Sequence, residues 1–290
     1  FAEAQTHAVG CARGLFHLEG TTDAAGDSVD LEVLCLPQSS GGYAVAKLDR
    51  GGLDVAVLGS TPWAMAVSRG VDLSAFYVTH SKGDSQGLVV RSGVAKTPAD
   101  IKGLRIATPF GSTAHYHLLF LLTIFELSES DLTLENRPPD EIRTAWDAGE
   151  IDGAFIWGGT YAHLREQGDL LITARALGSW GKETFNTVSA RRAFAREHDA
   201  FLERLVAVLA VLDRSYLSDA CTVRGASARD EFLGSCADAI YANASSYVDR
   251  AAAGLALAEF VLVSAEEQAS CLYLGACGGS GGSTNASNAS

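Results

Sequence analysis

Basic residues are scarce in this sequence. Its 290 residues include 22 lysines and arginines against 35 aspartates and glutamates, which gives a formal net charge of -13. A nucleic-acid partner is therefore excluded, because binding to phosphates needs a basic surface that releases counterions. An anionic membrane surface would be repelled in the same way. If the ligand is an anion, a local feature such as a helix N-terminus has to bind it despite the negative net charge of the chain.

Long apolar runs are also missing. The longest, at residues 118–124 and 205–212, fall short of the roughly 18 residues that span a bilayer and are typical of buried helix faces. The chain has a single methionine and opens on Phe1 without a signal peptide. We therefore expect a mature form or a fragment.

Several motifs of enzymes and metalloproteins are absent as well. The sequence contains no H-E-x-x-H, Walker A or G-x-G-x-x-G segment. His115 and His117 are two residues apart and so do not share a helix face, and no C-x-x-C spacing occurs, which disfavours zinc. Carboxylates are scattered at predicted helix starts, where dipole and solvation explain them. We therefore predict a protein that is not an enzyme and that has no metal and no cofactor.

Six cysteines are present, and an even number without zinc-type spacing favours disulfides. Six cysteines allow ~15 pairings. Their positions suggest Cys11 with Cys35 and the other four among themselves, while six free, buried thiols are the alternative. The other four are Cys221, Cys236, Cys271 and Cys277. Candidate glycosylation sequons stand at Asn243, Asn285 and Asn288. Together these features favour an extracytoplasmic protein, secreted or periplasmic.

Strand-like runs alternate with helical segments, which predicts an α/β protein with largely parallel sheets. Strands are predicted at residues 28–36, 54–58, 76–80, 88–91, 104–107, 132–136, 151–157 and 170–173. Helices are predicted at residues 6–16, 43–50, 61–69, 112–127, 139–148, 160–167, 199–218, 227–242 and 246–260. A further short helix opens at Thr97, which forms a capping motif with Asp100.

The elements fall into two sets, and the chain is predicted to cross between them twice, near residues 83–89 and 183–189. Two crossings imply two lobes with a ligand cleft between them. Residues 1–86 and 189–277 are assigned to lobe 1 and residues 87–188 to lobe 2. The Gly/Ser/Asn-rich tail at residues 278–290 is predicted to be disordered.

Three predicted strand-to-helix junctions carry hydroxyl and aromatic residues, at residues 58–63, 107–116 and 155–161. Each offers backbone N–H donors, hydroxyls and the positive end of a helix dipole, which suit a tetrahedral anion such as a sulfonate. The alternative is that the Ser and Thr residues are only N-caps. The candidate ligand contacts at these junctions are Ser60, Thr61, Trp63, Ser112, Thr113, His115, Tyr116 and Trp157. Further candidates are Trp180, beside glycines, and Gln5 and His7 in the first helix, whereas Trp146 is predicted to be core.

Four segments carry, in order, a resemblance to a known family. They read LDVAVLGSTP at 53–62, TPADIKGLRIATPFGSTAHY at 97–116, AWDAGEIDGA at 145–154 and GSWG at 178–181. These segments resemble the taurine- and alkanesulfonate-binding proteins of ABC importers over residues 38–197. The resemblance implies a type II periplasmic-binding-protein fold that closes like a hinge, with a mostly parallel sheet in each lobe. It also implies a small organic sulfonate as ligand, an ABC permease as partner, a monomer, and a missing first strand.

Two positions depart from the family pattern. Taurine binders carry acids where this chain has Gln86 and Asn186, and such acids would pair with the ammonium of taurine. The amides keep the hydrogen bonds but remove the negative charge, although Glu183 stands close enough in sequence to restore one. Both amides are candidate ligand contacts, and a sulfonate without an ammonium is favoured over taurine.

Two other functions compete with that of an importer component. The cysteines, the sequons and the tail suit a secreted eukaryotic ligand-binding or sensor protein of the same fold that acts without a transporter. The thiamin-pyrimidine synthase of fungi is an enzymatic relative with this fold, but its cysteine-rich signature is absent here. The importer component is the preferred interpretation.

Overall fold

The computed structural model describes Cys11, Phe16 and residues 21–29, 31, 33–38 and 40–217. Several predictions lie outside the described residues: most of the helix at 6–16, the helices at 227–242 and 246–260, the tail at 278–290, Gln5, His7, Cys221, Cys236, Cys271, Cys277, Asn243, Asn285 and Asn288. In the described part of the chain, no helix is both long and apolar enough to span a membrane.

Short strands and helices alternate along the described chain. The strands are β1 (Thr21–Thr22), β2 (Ser28–Val29), β3 (Val55–Gly59), β4 (Leu73–Ser81), β5 (Gln86–Arg91), β6 (Arg105–Thr108), β7 (Thr133–Asn136), β8 (Gly153–Trp157), β9 (Gly168–Thr173) and β10 (Phe185–Arg191). The α-helices are α1 (Gly41–Asp49), α2 (Ser60–Ser68), α3 (Thr113–Ile124), α4 (Pro139–Asp147), α5 (Gly158–Arg165), α6 (Ala174–Ser179), α7 (Arg192–Glu197) and α8 (Asp199–Leu217). Single 3₁₀ turns lie at Gly83–Ser85, Pro98–Ile101 and Glu129–Asp131.

The described strands form two main sheets, one for each lobe. The first has the order β3-β10-β4 and the second the order β7-β6-β8-β5-β9, while β1 and β2 make a separate two-stranded ladder. The chain passes from the first sheet to the second between β4 and β5 and returns at β10. This division agrees with the two predicted crossings.

The predicted α/β fold class is confirmed, but most strand pairings in the two sheets are antiparallel, because one strand in each sheet runs against the others. β10 is antiparallel to both of its neighbours, and β5 is antiparallel to β8 and β9, although β6 is parallel to β7 and β8. The register gives the reason. Gln86 at the start of β5 pairs with Trp157 at the end of β8, and Asn186 near the start of β10 pairs with Gly59 at the end of β3. β5 and β10 receive the chain from the other lobe, so they begin at the cleft where their neighbours end.

The predicted strand at residues 28–36 is a second correction. Among the described residues of this range, Ser28–Val29 is a strand and residues 31 and 33–36 are not, and Leu34 and Leu36 are exposed. Alternation of apolar residues creates a strand only where a neighbouring strand supplies a ladder. Among the described residues, β3 pairs with β10 alone, so this segment forms no ladder with the open edge of the first sheet.

The second sheet is covered by helices on both faces, which explains its near-continuous apolar strands. Leu88 and Phe155 face α3, whose Leu118 and Leu121 are fully buried. Alternate strand residues such as Val89, Ala107 and Ile156 face α4 and α5. The prediction that Trp146 belongs to the core is confirmed, since it lies in this second cluster and is 1% exposed. In the first lobe, α8 packs its apolar face against β10.

Gly168 gives a test of this packing. A Cβ atom there would overlap the carbonyl oxygen of Val90 and lie 2.8 Å from the Trp146 ring. We expect Gly168→Ala to lower the free energy of unfolding by about 1–3 kcal/mol, because neither the backbone nor a buried indole yields easily. Urea unfolding measures the loss. Gly159→Ala is the matched control, since a Cβ there meets nothing within 4 Å. Equal stabilities of the two variants would contradict the packing.

Candidate functional site

A cavity of about 1000 Å³ is lined by residues of both lobes. This volume lies at the upper end of the ~300–1,000 Å³ that is usual for small-ligand sites. Its cleft end is lined by Gln38, Ser40, Gly41, Gly59, Pro62, His80, Lys82, Ser112, Thr113, Pro139, Trp157 and Asn186. Its inner end is apolar and runs between β3, β10 and α8, with Val57, Val188 and Leu205 in the wall.

The two crossings are joined to each other behind this cavity. The backbone N–H of Lys82, which leads from β4 towards β5, donates to the carbonyl of Thr184 just before β10, at 2.8 Å. The Ser85 hydroxyl and backbone N–H both donate to the Lys82 carbonyl, at 2.7 and 2.9 Å. These hydrogen bonds make the two connections one unit, which is the arrangement of a hinge.

The lobes approach each other at the N-termini of α2 and α3. A Cβ atom on Gly59 would lie 3.0 Å from Thr113 Cγ2, so a side chain there would press on the opposite lobe. On Gly111 it would lie 3.4 Å from Met65 Sδ, at a backbone φ of +73° that favours glycine. Glycine at both positions therefore permits the close approach of the two helix starts.

The N-termini of α2 and α3 are capped differently. The Ser112 hydroxyl accepts from the backbone N–H of His115 at 3.2 Å, so the N-cap alternative holds for this residue. α2 has Gly59 as its N-cap without a side-chain bond, and Ser60 Oγ instead accepts from the backbone N–H of Phe185 at 3.4 Å. Ser60 thus ties α2 to the start of β10. Thr160, at the third junction, donates to the carbonyl of Pro139.

A buried chain of polar side chains crosses the second lobe from the cavity wall to the hinge. The Thr113 hydroxyl donates to Gln86 Oε1 at 2.8 Å, and Gln86 Nε2 lies 3.0 Å from His117 Nδ1. His117 Nε2 lies 2.7 Å from the Lys182 carbonyl. Because a carbonyl only accepts, Nε2 carries the proton and Nδ1 accepts from Gln86. This assigns a neutral ring to His117.

Burial also favours the neutral form of both histidines in α3. Desolvation lowers the pKa of His117 to about 4, and the charge of Lys82 acts in the same direction, while the hydrogen bond to Lys182 opposes it. Desolvation lowers the pKa of His115 to about 4 as well. His115 stacks on Phe110 with ring centres 4.4 Å apart and accepts from the Gly111 N–H. Burial raises the pKa of Tyr116 to about 12.

Four of the predicted contact residues lie on the cavity wall: Ser112, Thr113, Trp157 and Asn186. The other predicted residues that are described do not line the cavity, and most are buried elsewhere. They are Ser60, Thr61, Trp63, Gln86, His115, Tyr116 and Trp180. Trp180 differs from the rest because it is 48% exposed. Gln5 and His7 lie outside the described residues.

Sequence reasoning missed Lys82 and His80, which stand on the wall beside Asn186. Lys82 is only 5% exposed, and His80 Nε2 lies 3.5 Å from Asn186 Nδ2. The signal that could have identified Lys82 is its position. Lys82 precedes the first predicted crossing by one residue. A lysine at this point of an acidic chain places a positive charge beside the predicted cleft.

Several side chains on the described wall are already engaged with partners. Its cysteines, Cys11 and Cys35, form a disulfide, and its carboxylate Asp54 is paired with Arg191. Ser85 lies in the G-x-S-x-G spacing of Gly83–Gly87, but its hydroxyl donates to the Lys82 carbonyl and a strand follows it, so it does not form a nucleophile elbow. Among the described residues, no group of three or more His, Cys, Asp or Glu is placed to hold a metal ion.

The hinge, the facing helix starts and the cavity define a two-lobed α/β fold with a candidate ligand site. A family profile described as NMT1/THI5 like matches residues 27–213, and the chain belongs to this family. The resemblance to taurine- and sulfonate-binding proteins is confirmed by the relatives below.

The taurine-binding periplasmic protein of Escherichia coli (strain K12) is 36% identical over 55% of this chain and 49% of its own length. The putative aliphatic sulfonates-binding protein of the same strain is 27% identical over 60% of this chain and 54% of its own length. The chain therefore spans about half the length of these curated relatives. The crystal structure of the periplasmic aliphatic sulphonate binding protein SsuA from Escherichia coli superimposes with a TM-score of 0.60 at 23% identity, covering 81% of this chain and 75% of that chain. This match confirms the predicted two-lobed fold.

Proposed function

We propose that this chain is the extracytoplasmic solute-binding component of an ABC importer and that it captures a small organic sulfonate, either taurine or a related compound. The observation that carries the proposal is the cavity between the lobes, whose wall includes both the N-terminus of α3 and Lys82. Backbone N–H groups at a helix start, hydroxyls and a cation suit the three oxygens of a sulfonate. The two Escherichia coli relatives bind taurine and aliphatic sulfonates by name.

The partners and location follow from the same proposal. An importer component would deliver its ligand to an ABC permease and would act as a monomer that closes on one ligand. The Cys11–Cys35 disulfide supports a location in an oxidising compartment. Both Escherichia coli relatives are binding proteins by name, which supports a binding role without catalysis.

The sensor function without a transporter is the weaker alternative. Its support came from the cysteines, the sequons and the tail, and the names of both relatives favour the importer instead. Neighbouring genes for a permease and an ATPase would favour the importer. Their absence in a eukaryotic source would favour the sensor.

Isothermal titration tests the ligand class. We expect taurine, isethionate or a short alkanesulfonate to bind with a dissociation constant in the micromolar range or below, and to bind more tightly than a carboxylate of the same length. Binding should reduce the radius of gyration measured by X-ray scattering, because the hinge closes. If no sulfonate binds and phosphonates are also silent, the proposed ligand class is wrong.

Thr113→Val sharpens this test. The change keeps the shape of the side chain but removes a hydroxyl that lies on the wall and supports Gln86. We expect about a tenfold loss of sulfonate affinity, equivalent to roughly one hydrogen bond. Thr123→Val, at the far end of the same helix, is the control and should bind as the parent does, since its hydroxyl only donates to the Leu119 carbonyl. Equal affinities of the two variants would exclude the start of α3 as a ligand contact.

A further inference from the structure

Lys82 stands on the cavity wall at the hinge between the lobes. The residue is 5% exposed, and its ammonium lies 5.9 Å from the centre of the Trp157 ring, which comes from the opposite lobe. Its backbone is held from both sides, by the N–H bond to Thr184 and by the two bonds from Ser85. The backbone of Lys82 is therefore fixed beside the cavity, and its side chain reaches towards Trp157 of the other lobe.

An ammonium on a cavity wall can donate to anions and to other oxygen acceptors. A bound sulfonate brings three such oxygens. The sulfonate would keep its negative charge in the closed cleft, where charge-assisted hydrogen bonds to an ammonium are stronger than in water. The position of Lys82 thus suits the head group of an anionic ligand.

The remaining wall is poorly suited to a ligand ammonium. Among the described wall residues, Asp54 is the only carboxylate, and it is paired with Arg191. Asn186 offers an amide near Lys82, and the inner end of the cavity is apolar. Gln86 is not available as a partner, because its side chain is fully buried and bonded to Thr113 and His117.

We propose that Lys82 is a ligand-binding and specificity-determining residue that selects sulfonates without an ammonium group over taurine. This inference rests on the proposed function of sulfonate capture. An amine-free sulfonate places its anionic head at Lys82 and its alkyl or hydroxyl end towards the apolar interior. Taurine carries an ammonium that would share the cavity with the like charge of Lys82.

Three ligands of nearly equal size isolate the terminal group: propane-1-sulfonate, isethionate and taurine end in methyl, hydroxyl and ammonium. We expect titration of the full chain to give at least about tenfold weaker binding of taurine than of propane-1-sulfonate. Lys82→Met keeps the length of the side chain and removes its charge. This variant should lose about 10- to 100-fold in affinity for propane-1-sulfonate. Its affinities for propane-1-sulfonate and taurine should then differ by no more than about threefold.

Lys82→Arg keeps the charge and should retain the preference, which gives a second reading if Lys82→Met folds poorly. Lys102→Met controls for net charge, because Lys102 is exposed and paired with Asp131 outside the cavity. If taurine binds the parent as tightly as propane-1-sulfonate, or if Lys82→Met folds and binds as the parent does, the inference is overturned while sulfonate capture stands. If none of the three ligands binds the parent, the proposed function fails with it.

Discussion

Lowering the pH from 7 to 5 is expected to reduce the free energy of unfolding by about 4 kcal/mol, or roughly 2 kcal/mol for each of two buried histidines. Desolvation holds the pKa of His115 and of His117 near 4, against 6.5 for an ordinary histidine. Below pH 6.5 the two histidines therefore bind protons in the unfolded chain, whereas they stay neutral in the folded chain. The stability that the neutral rings provide is complete above pH 6.5 and is lost as the pH falls towards 4. Urea unfolding at several pH values measures the slope.

Two variants assign this slope to residues. His117→Gln keeps a donor towards Lys182, and His115→Asn keeps an acceptor for Gly111, so each removes one titrating ring with limited repacking. Each should lower stability at pH 7 and should remove about half of the loss between pH 7 and 5. A parent-like slope in both variants would contradict the assignment. The range from pH 7 to 5 separates the histidines from the aspartates. Hydrogen bonds from Lys102 and Arg105 lower the pKa values of Asp131 and Asp152. The stability that these two carboxylates contribute is therefore lost only at a lower pH.

The hinge gives this titration a consequence for binding. Protonated His117 would present an N–H at Nδ1 towards the Gln86 amide. Gln86 would have to turn its oxygen there and offer its NH₂ group to Thr113, whose hydroxyl would then accept instead of donate. The same chain of bonds connects the cavity wall to the Lys182 carbonyl beside the second crossing. Acid should therefore disturb the start of α3 and the hinge before it unfolds the protein.

Elements with a local signal were predictable from the sequence. The capping motif at Thr97 is present, with its backbone N–H donating to Asp100 at 2.8 Å, and α4 has the apolar face that places Trp146 in the core. The direction of β5 and β10 was not predictable from residue patterns, since alternation of side chains is the same in parallel and antiparallel strands. Likewise, residues 28–36 alternate as a strand does, but alternation does not report whether a neighbouring strand exists.

The site was predictable in position more than in detail. Spacing placed the three junctions at one cleft, and Thr113 and Trp157 do lie on its wall. The sequence could not show that the Gln86 amide is hydrogen-bonded to Thr113 and His117. These two partners are 27 and 31 positions away from Gln86 along the chain. Lys82 was overlooked for a similar reason. Its role depends on which side of the crossing faces the cavity, and only the folded backbone decides that.

Removal of the disulfide is the second change with a large expected effect. Cys11 and Cys35 are joined across a sequence separation of 24 residues, and both line the cavity. The double variant Cys11→Ser, Cys35→Ser should lose about 3 kcal/mol of unfolding free energy. Without the bond, the unfolded chain regains the conformational entropy that closure of a loop of this size removes. A lower melting temperature in scanning calorimetry, by roughly 10 °C, would accompany it.

The double variant tests the bond more cleanly than a reducing agent, which would also act on any disulfide formed by the other four cysteines. Peptide mapping of the non-reduced parent should recover Cys11 and Cys35 in one linked species. Sulfonate affinity should fall as well, because the bond fixes residues 33–38 along the wall opposite α8, where Leu34 and Leu36 are exposed and have little packing of their own. A variant with parent stability but weakened binding would assign the disulfide to the cavity wall alone. Parent values for both would mean that packing, and not the bond, holds this wall in place.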